Sequence, residues 1–343
     1  MVFLSPLTTA HYDRLLEATP RSTFFHSSAW CSVLSRSYGF EPFYLAKEGP
    51  TGYSVLFPVM EVRSRITGTR GVCLPFTDHC EPLLENGETD PEGLLDGLAE
   101  KGRQLGWRYL EWRGEPGLSG EAVPASQYIG HFLELSLGEK DIFRRLRDST
   151  RRNIRRAQRE GLEVTISTSQ DAVRLLWQLQ CLTRKKHGLP PQPRRFFRAI
   201  WEEVVSKGMG FVVAASRGSK PVAASLFLHL GGQAVFKYGA SDPQDAASRG
   251  NYLVMWEAIR ECIRRGCSRL SLGRTAPSNT GLLQFKRGWA AKEREISYYR
   301  YDLRSRRFLR AAQRENGWYN MVLRKLPMPF LRLLGELLYP HVA

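Results

Sequence analysis

Lys237, Tyr238, Arg274 and Lys286 are the residues of this 343-residue chain best suited to work on an activated carbonyl. Acyl transfer brings an acceptor amine or hydroxyl to that carbonyl and builds negative charge on its oxygen. Three cations and a phenol, on two strands and a short helix, suit either that oxyanion or an anionic acceptor. The strands carrying Lys237, Tyr238 and Arg274 hold no glutamate to serve as general base. The first half of the chain offers Asp78-His79, within Phe76-Thr77-Asp78-His79-Cys80, as its best acid–base pair. The same residues also read as a turn in which the Asp78 side chain bonds the backbone. The catalytic candidates are therefore Lys286, Tyr238, His79 and Asp78.

Two further segments could hold phosphate. Ser248-Arg249-Gly250-Asn251 precedes an apolar helix expected over 251–265. Free N–H groups and the dipole of a helix start attract anions, and this segment adds a cation and a flexible glycine. The alternative is a solvated loop with Asn251 as the helix cap. Upstream, Phe143, Leu146, Ile154 and Ala157 form one helical stripe within 141–161. The opposite surface carries eight arginines between Arg144 and Arg159, among them Arg152 and Arg156, with Asn153 beside them. Arg152, Asn153, Arg156, Lys237 and Arg274 are the substrate-binding candidates. A solvated basic face explains the arginines equally simply.

The whole chain is basic, with a formal net charge of +16. Such a surface favours phosphorylated cofactors, RNA or an anionic membrane without choosing among them. Six cysteines are scattered without a CxxC pair, so no zinc site or other metal is expected. Their apolar settings suit buried thiols in a reducing compartment.

The elements that position these residues are clearest in the second half. Helices are expected over 171–187 and 194–207, strands over 211–215, 222–230 and 233–238, and the 251–265 helix ended by Gly266. A strand over 269–272, a helix over 281–287 and a strand over 294–301 follow. The first half repeats this more loosely, with helices at 6–18, 28–37 and 91–105 and strands at 43–47, 53–62, 71–74, 108–112 and 127–135. Gly106-x-x-x-Leu110-x-Trp112 mirrors Gly266-x-x-x-Leu270-x-Leu272, and Phe43-x-x-Ala46 mirrors Phe211-x-x-Ala214. The expected fold is α/β: two similar domains, each a mixed twisted sheet flanked by helices, over residues 1–140 and 141–315, with a tail over 316–343.

The element order of the second half is that of a GNAT acetyltransferase domain. Arg151-Arg152-Asn153-Ile154-Arg155-Arg156-Ala157 with Glu160-Gly161 resembles the R-x-N-x-R-x-A…G element of FemAB-like transferases. Phe25-His26-Ser27-Ser28-Ala29-Trp30, Lys237-Tyr238-Gly239-Ala240, Gly250-Asn251-Tyr252-Leu253, Gly273-Arg274 and Gly281-Leu282-x-x-Phe285-Lys286 resemble that family too, in order, across roughly 25–301. The resemblance implies tandem GNAT-like domains and transfer of an acyl or aminoacyl group to a cell-envelope saccharide or its lipid-linked precursor. It places the cofactor pyrophosphate at Ser248, Arg249, Gly250 and Asn251. Aminoacyl-tRNA is the donor in the peptidoglycan enzymes of the family; others are tied to exopolysaccharide loci. This chain has neither the Q/R-x-x-G-x-G/A pattern usual in GNAT enzymes nor the proline before Asn251. It also lacks the coiled-coil insertion of the peptidoglycan enzymes, and for that reason acyl-CoA is the expected donor. Aminoacyl-tRNA, and with it an RNA partner, is the alternative, and an inactive GNAT-like binding scaffold is a third reading.

The tail from Gly317 is more apolar than a solvent-exposed end requires. Arg324, Lys325, Arg332 and Glu336 interrupt it and Pro327 and Pro329 break its helix, so it cannot span a bilayer. Two short amphipathic helices lying on an anionic inner-membrane surface fit it, with Trp318, Tyr319 and Tyr339 at headgroup level and the arginines from Arg304 to Arg314 assisting. Cover for the protein's own core, or a dimer contact, fits it as well. With no signal peptide and no spanning segment, the protein is expected in the cytoplasm, peripheral to that membrane.

Overall fold

The computed structural model describes residues 1–85, 91–114, 122–310 and 317–342. The chain divides into two units. One comprises residues 1–129, 295–313 and 338–343, the other residues 130–294 and 314–337. The chain therefore leaves the first unit inside one strand and re-enters it inside another, where sequence patterning cuts it at 140/141 and 315/316.

In the first unit β1 (Val2–Leu4) precedes two helices, α1 (Tyr12–Ala18) and α2 (Ser28–Tyr38). The helix expected from residue 6 starts only at Tyr12, because the chain first turns, with the Thr8 and Thr9 N–H groups on the Ser5 carbonyl. Ser27 caps α2 by accepting from the Trp30 N–H, and Gly39 ends it at a left-handed φ of 72°. Next come β2 (Glu41–Pro42), β3 (Tyr44–Glu48), β4 (Tyr53–Phe57) and β5 (Met60–Val62). The strand expected over 53–62 is thus two strands. Pro58 has no N–H to give a ladder, and the hairpin changes sheets there. Its outer part pairs β3 with β4, and its inner part pairs β2 with β5.

The unit continues through β6 (Arg70–Val72), β7 (Leu83–Leu84), α3 (Pro91–Gln104), β8 (Tyr109–Gly114) and the start of β9 (Ser126–Glu134). One of its sheets runs β1-β3-β4-β7 and the other includes β8-β6-β5-β2. Trp30, Tyr44, Phe57 and Trp112 fill the core.

The second unit opens with α4 (Gly138–Arg145) and α5 (Asp148–Arg159), where patterning predicts a single helix. The break has a local cause. Leu146 and Arg147 take extended ψ near 145°, which turns Leu146 into the core and puts the Arg147 N–H on the Gly288 carbonyl at 3.1 Å. An edge strand that patterning misses follows, β10 (Glu163–Ser167); its Glu-Val-Thr-Ile-Ser run alternates, but over only five residues, and it leaves Ile166 exposed. Then come α6 (Gln170–Lys186) and α7 (Arg194–Ile200), the latter prolonged by a π-helical turn. A meander follows of β11 (Gly210–Arg217), β12 (Lys220–Leu230) and β13 (Gln233–Ser241).

Next are α8 (Gly250–Arg264), β14 (Arg269–Thr275), α9 (Thr280–Arg287) and β15 (Lys292–Asp302), whose later residues pair with β8 in the first unit. There β16 (Arg307–Phe308) adds to β15, before α10 (Gly317–Lys325) and α11 (Met328–Leu338). Strand order in this unit is β10-β11-β12-β13-β14, antiparallel except for parallel β13 and β14.

Both units contain a strand–helix–parallel strand crossover: β6–α3–β8 in the first, β13–α8–β14 in the second. The glycines of the repeated register, Gly106 and Gly266, end the crossover helices at φ 71° and 77°, a backbone state that glycine enters without strain. Leu110 and Leu270 are both wholly buried in the strands that follow.

Candidate active site

Strands β13 and β14 share only three residue pairs, Gln233↔Arg269, Ala234↔Leu270 and Val235↔Ser271. Beyond them β13 runs on to Ser241 and β14 to Thr275 without pairing each other, so two backbone edges diverge. Against β12, the register of β13 jumps from Phe227↔Phe236 to Leu226↔Tyr238, leaving Lys237 as the extra residue of a bulge. A bulge kinks and twists its strand, which is one way to turn β13 away from β14. Gly239 admits the fold of that segment: a Cβ there would stand 2.6 Å from the Phe236 ring. On the other edge Gly273 sits at φ 74°.

Lys286 closes the β14 side. Its helix α9 starts at the cap Asn279, whose side chain accepts from the Leu282 N–H. One helical turn further on, the Lys286 side chain is buried and its ammonium donates to the carbonyls of Gly273 and Arg274, at 3.0 Å each. Near it lies a group that sequence reasoning misses. His131 of β9 is buried, with Nε2 3.1 Å from Glu293 Oε1, and Glu293 is held in turn by two nitrogens of Arg287. Burial, and then the charge of Lys286, push the His131 pKa down, keeping the imidazole neutral near pH 7. A lone histidine within the apolar run Tyr128-Ile129-Gly130-His131-Phe132-Leu133 is the signal the sequence carries.

Tyr238 is half-buried between β13 and α7, with its ring centroid 6.1 and 5.3 Å from those of Phe196 and Phe197. The Lys237 ammonium stands 5.1 Å from the Tyr238 ring centre. Lys237 and Tyr238 thus lie on one diverging strand, Gly273 and Arg274 on the other, and Lys286 behind the second. A separate cavity of about 120 Å³ between α6 and α7 is lined by Arg174, Trp177, Arg194, Phe197 and Trp201 among others. Lys237, Arg274 and Lys286 take no part in it.

The start of α8 answers the question of its cap. Arg249 occupies the cap position at φ 58°, ψ 25°, and makes no side-chain capping bond. Asn251 lies inside the first turn and is exposed, so the Asn251-cap reading does not hold. The starts of α6 and α9, by contrast, are satisfied by Ser169 and Asn279. A helix start without a side-chain cap retains N–H groups that can hold phosphate. Ser248 is buried and spends its hydroxyl proton on the Asp245 carbonyl at 2.7 Å, so that proton does not reach a ligand. Gly250 is buried against Val222, Ala223 and Leu162, and a Cβ added to it would stand 3.0 Å from Val222.

Helix α5 packs through Thr150, Ile154 and Ala157, and the last two share a core with Leu253, Trp256 and Trp289. Arg152 and Arg156 are exposed and Asn153 is half-buried. Arg156 lies 3.7 Å from Glu160, whereas Arg152 meets no carboxylate among the described residues.

Asp78 and His79 belong to the first unit, in a segment held by backbone contacts. The Tyr298 hydroxyl donates to the Asp78 carbonyl at 2.7 Å, and Arg113 donates to the Thr77 and Leu74 carbonyls at 2.8 and 3.2 Å. His79 is buried edge-on to Phe25. Leu74 and Phe76 both take positive φ, so this is a tightly constrained turn.

Residues 144–287 match the sequence model of the family described as an acetyltransferase (GNAT) domain. Comparison with curated proteins gives no match. Among solved structures the chain is similar to FemX, with a TM-score of 0.66 and 11% identity over 86% of this chain and 96% of that one. It is similar to a tandem GNAT protein from the clavulanic acid biosynthesis pathway, with a TM-score of 0.58 and 9% identity over 88% and 98% of the two chains. It is also similar to L-PGS from Bacillus licheniformis, with a TM-score of 0.50 and 13% identity over 83% and 88%. At such identities the structural likeness is one of fold. Residues 144–287 are thus a GNAT-type acetyltransferase domain, and the chain as a whole shares its fold with FemX and the tandem GNAT protein.

Proposed function

We propose that the second unit transfers an acyl group from acyl-CoA to an amine or hydroxyl of an anionic cell-envelope saccharide or its lipid-linked precursor, acting from the cytoplasm. The observation that carries this reading is the divergence of β13 from β14 beyond Val235↔Ser271, with the buried ammonium of Lys286 fixed on the β14 side. The likeness to FemX and L-PGS supports an acceptor in the cell envelope.

The residues present fit the donor. When bound, its thioester supplies the activated carbonyl. The first N–H groups of α8 and the Arg249 guanidinium suit a diphosphate. The two free-running strand edges suit an arm that carries amides, because they hold hydrogen-bonding groups in an extended array. Lys286 keeps a positive charge where β14 turns away, and a fixed charge in a water-poor site stabilises a developing oxyanion at no reorganisation cost. Lys237 and Arg274 give the acceptor's anionic group a positive setting. His131, held neutral and close enough to Lys286 to feel its charge, is an imidazole with a proton to exchange.

A second reading, with aminoacyl-tRNA as donor, is favoured by one feature: Arg145, Arg147, Arg152 and Arg159 meet no carboxylate among the described residues. Calorimetric titration with acetyl-CoA, alongside native mass spectrometry of freshly purified protein, tests both. Acetyl-CoA should bind and bound CoA should appear in the spectrum. Bound RNA with no CoA affinity would replace the first reading by the second.

A further inference from the structure

Large apolar side chains are unevenly exposed. Of eight that are more than half exposed among the described residues, five stand on the last two helices: Met321, Val322, Phe330, Leu333 and Leu337, at 54% to 63%. In α11, Phe330, Leu333 and Leu337 recur at i, i+3 and i+7, which makes one stripe. The opposite stripe is the one that packs. Leu331 is wholly buried, and Gly335 lies so close to the Pro191 carbonyl that a Cβ would stand 2.0 Å from it. Arg332 stacks over Trp177 at 4.7 Å, and Glu336 pairs with Arg195 at 2.8 Å. The helix is therefore anchored through one face, and the exposed stripe covers none of the protein's own core.

Charge says what the stripe faces. Arg324 and Lys325, exposed on α10, meet no carboxylate among the described residues. Burial first, and then the charges of Lys186, Arg184 and Arg324, lower the pKa of His187. An apolar stripe accompanied by the exposed cations Arg324 and Lys325 repels a second copy of itself and attracts a surface that is apolar beneath and anionic on top. Helices of nine and eleven residues reach roughly 14 and 17 Å, far short of a bilayer's roughly 30 Å core.

We infer that α10 and α11 form a docking surface for an anionic bilayer, lying in its interface with Phe330, Leu333 and Leu337 inserted and Arg324 and Lys325 at the headgroups. Arg314 falls outside the described residues, and the surface rests only on the side chains named. It makes no use of the acyl donor and stands or falls apart from the proposed activity.

The full chain should be sedimented with phosphatidylcholine vesicles with and without phosphatidylglycerol. Binding should need the anionic lipid and weaken as salt is raised. The triple variant Phe330→Ser/Leu333→Ser/Leu337→Ser, and separately Arg324→Glu/Lys325→Glu, should each bind at least roughly tenfold more weakly. Because these side chains are exposed, melting temperature should change little. Acetyl-CoA binding should not change at all. Three results would overturn the inference: no binding by the wild type, equal binding to neutral vesicles, or an unchanged triple variant. So would a wild-type dimer that the triple variant converts to monomer, since the stripe would then belong to a second copy.

Discussion

The Lys286 ammonium stands 3.0 Å from the carbonyl oxygen of Gly273, a residue held at a left-handed φ of 74°. The same ammonium reaches the Arg274 carbonyl at 3.0 Å, so one charge is pinned to two successive carbonyls where β14 has lost its partner strand. Lys286→Met removes the charge and leaves both carbonyls without their donor. Its transfer rate, as kcat/KM, should fall at least roughly tenfold, about 1.4 kcal/mol. Stability should drop by about 1–3 kcal/mol. The acetyl-CoA Kd should stay within a few-fold, which separates a role in the reaction from a role in binding. A variant with undiminished kcat/KM would remove Lys286 from the mechanism.

Arg249 is a non-glycine residue held at φ 58° at the start of α8. That conformation costs an ordinary side chain about 1 kcal/mol. Arg249→Gly should therefore leave stability unchanged or raise it by up to about 1 kcal/mol, the relief being partly offset by glycine's greater freedom when unfolded. The same substitution should weaken acetyl-CoA binding several-fold, because a cation beside the diphosphate is lost. Thermal melts and calorimetry read the two effects independently. A gain in both stability and affinity would contradict a phosphate role for this position.

Much of the second unit is legible in the sequence, because its helices and strands carry clean apolar periods and glycine stops such as Gly266. The departures have physical causes. The break at Leu146-Arg147 keeps an unbroken apolar stripe in the sequence while the backbone turns out to Gly288. The edge strand β10 does alternate, but over only five residues, too short a run to stand out beside its neighbours. In the first unit Pro58 splits one apparent strand between two sheets, a switch that depends on which partners the two halves find. Lys286 is legible as a cation on the helix that follows the strands of Lys237 and Arg274, but its burial is not, since burial comes with the carbonyls of Gly273 and Arg274. His131 and Glu293 are 162 positions apart. Only the fold brings them together.

Glu111 is buried between two guanidiniums, with Oε1 3.0 Å from Arg113 and Oε2 2.7 Å from Arg300. Burial alone would raise the pKa of its carboxyl; Arg113 and Arg300 outweigh it and hold the pKa below the usual value. A lowered folded pKa means stability fully present above the unfolded value and lost as pH falls through the folded one. Glu111→Gln, nearly the same shape, leaves Arg113 buried without its counter-charge and should cost about 3–5 kcal/mol at neutral pH. The gap between the two proteins should narrow as pH falls below the ordinary carboxylate range, where the folded wild type's carboxyl gains its proton. Urea melts across that range decide the matter; a constant gap would mean that packing, rather than charge, explains the loss.

His26 shifts in the same direction for a different reason. It is wholly buried, its Nδ1 3.1 Å from the Thr23 backbone nitrogen and its Nε2 2.9 Å from the Glu81 carbonyl. Nδ1 therefore accepts and Nε2 donates, which suits the neutral ring. Adding a proton at Nδ1 would set two donors face to face. Burial lowers its pKa from 6.5 to about 4. The folded state thus resists a proton that the unfolded chain takes up near pH 6.5. Stability from this site is complete above that pH and declines as pH falls toward 4. At about 1.36 kcal/mol per pH unit the decline approaches ~3 kcal/mol. Other buried histidines add to the wild-type slope, so the informative quantity is a difference. His26→Gln keeps an amide able to donate to Glu81 but cannot take the proton. It should start less stable at about pH 8, by about 1–2 kcal/mol for imperfect hydrogen bonds, and lose less than the wild type as pH falls from 6.5 to 4. Denaturant melts at closely spaced pH values measure both curves. Parallel curves would show that His26 is protonated in neither state over this range, or in both, and the assignment of its lowered pKa would be wrong.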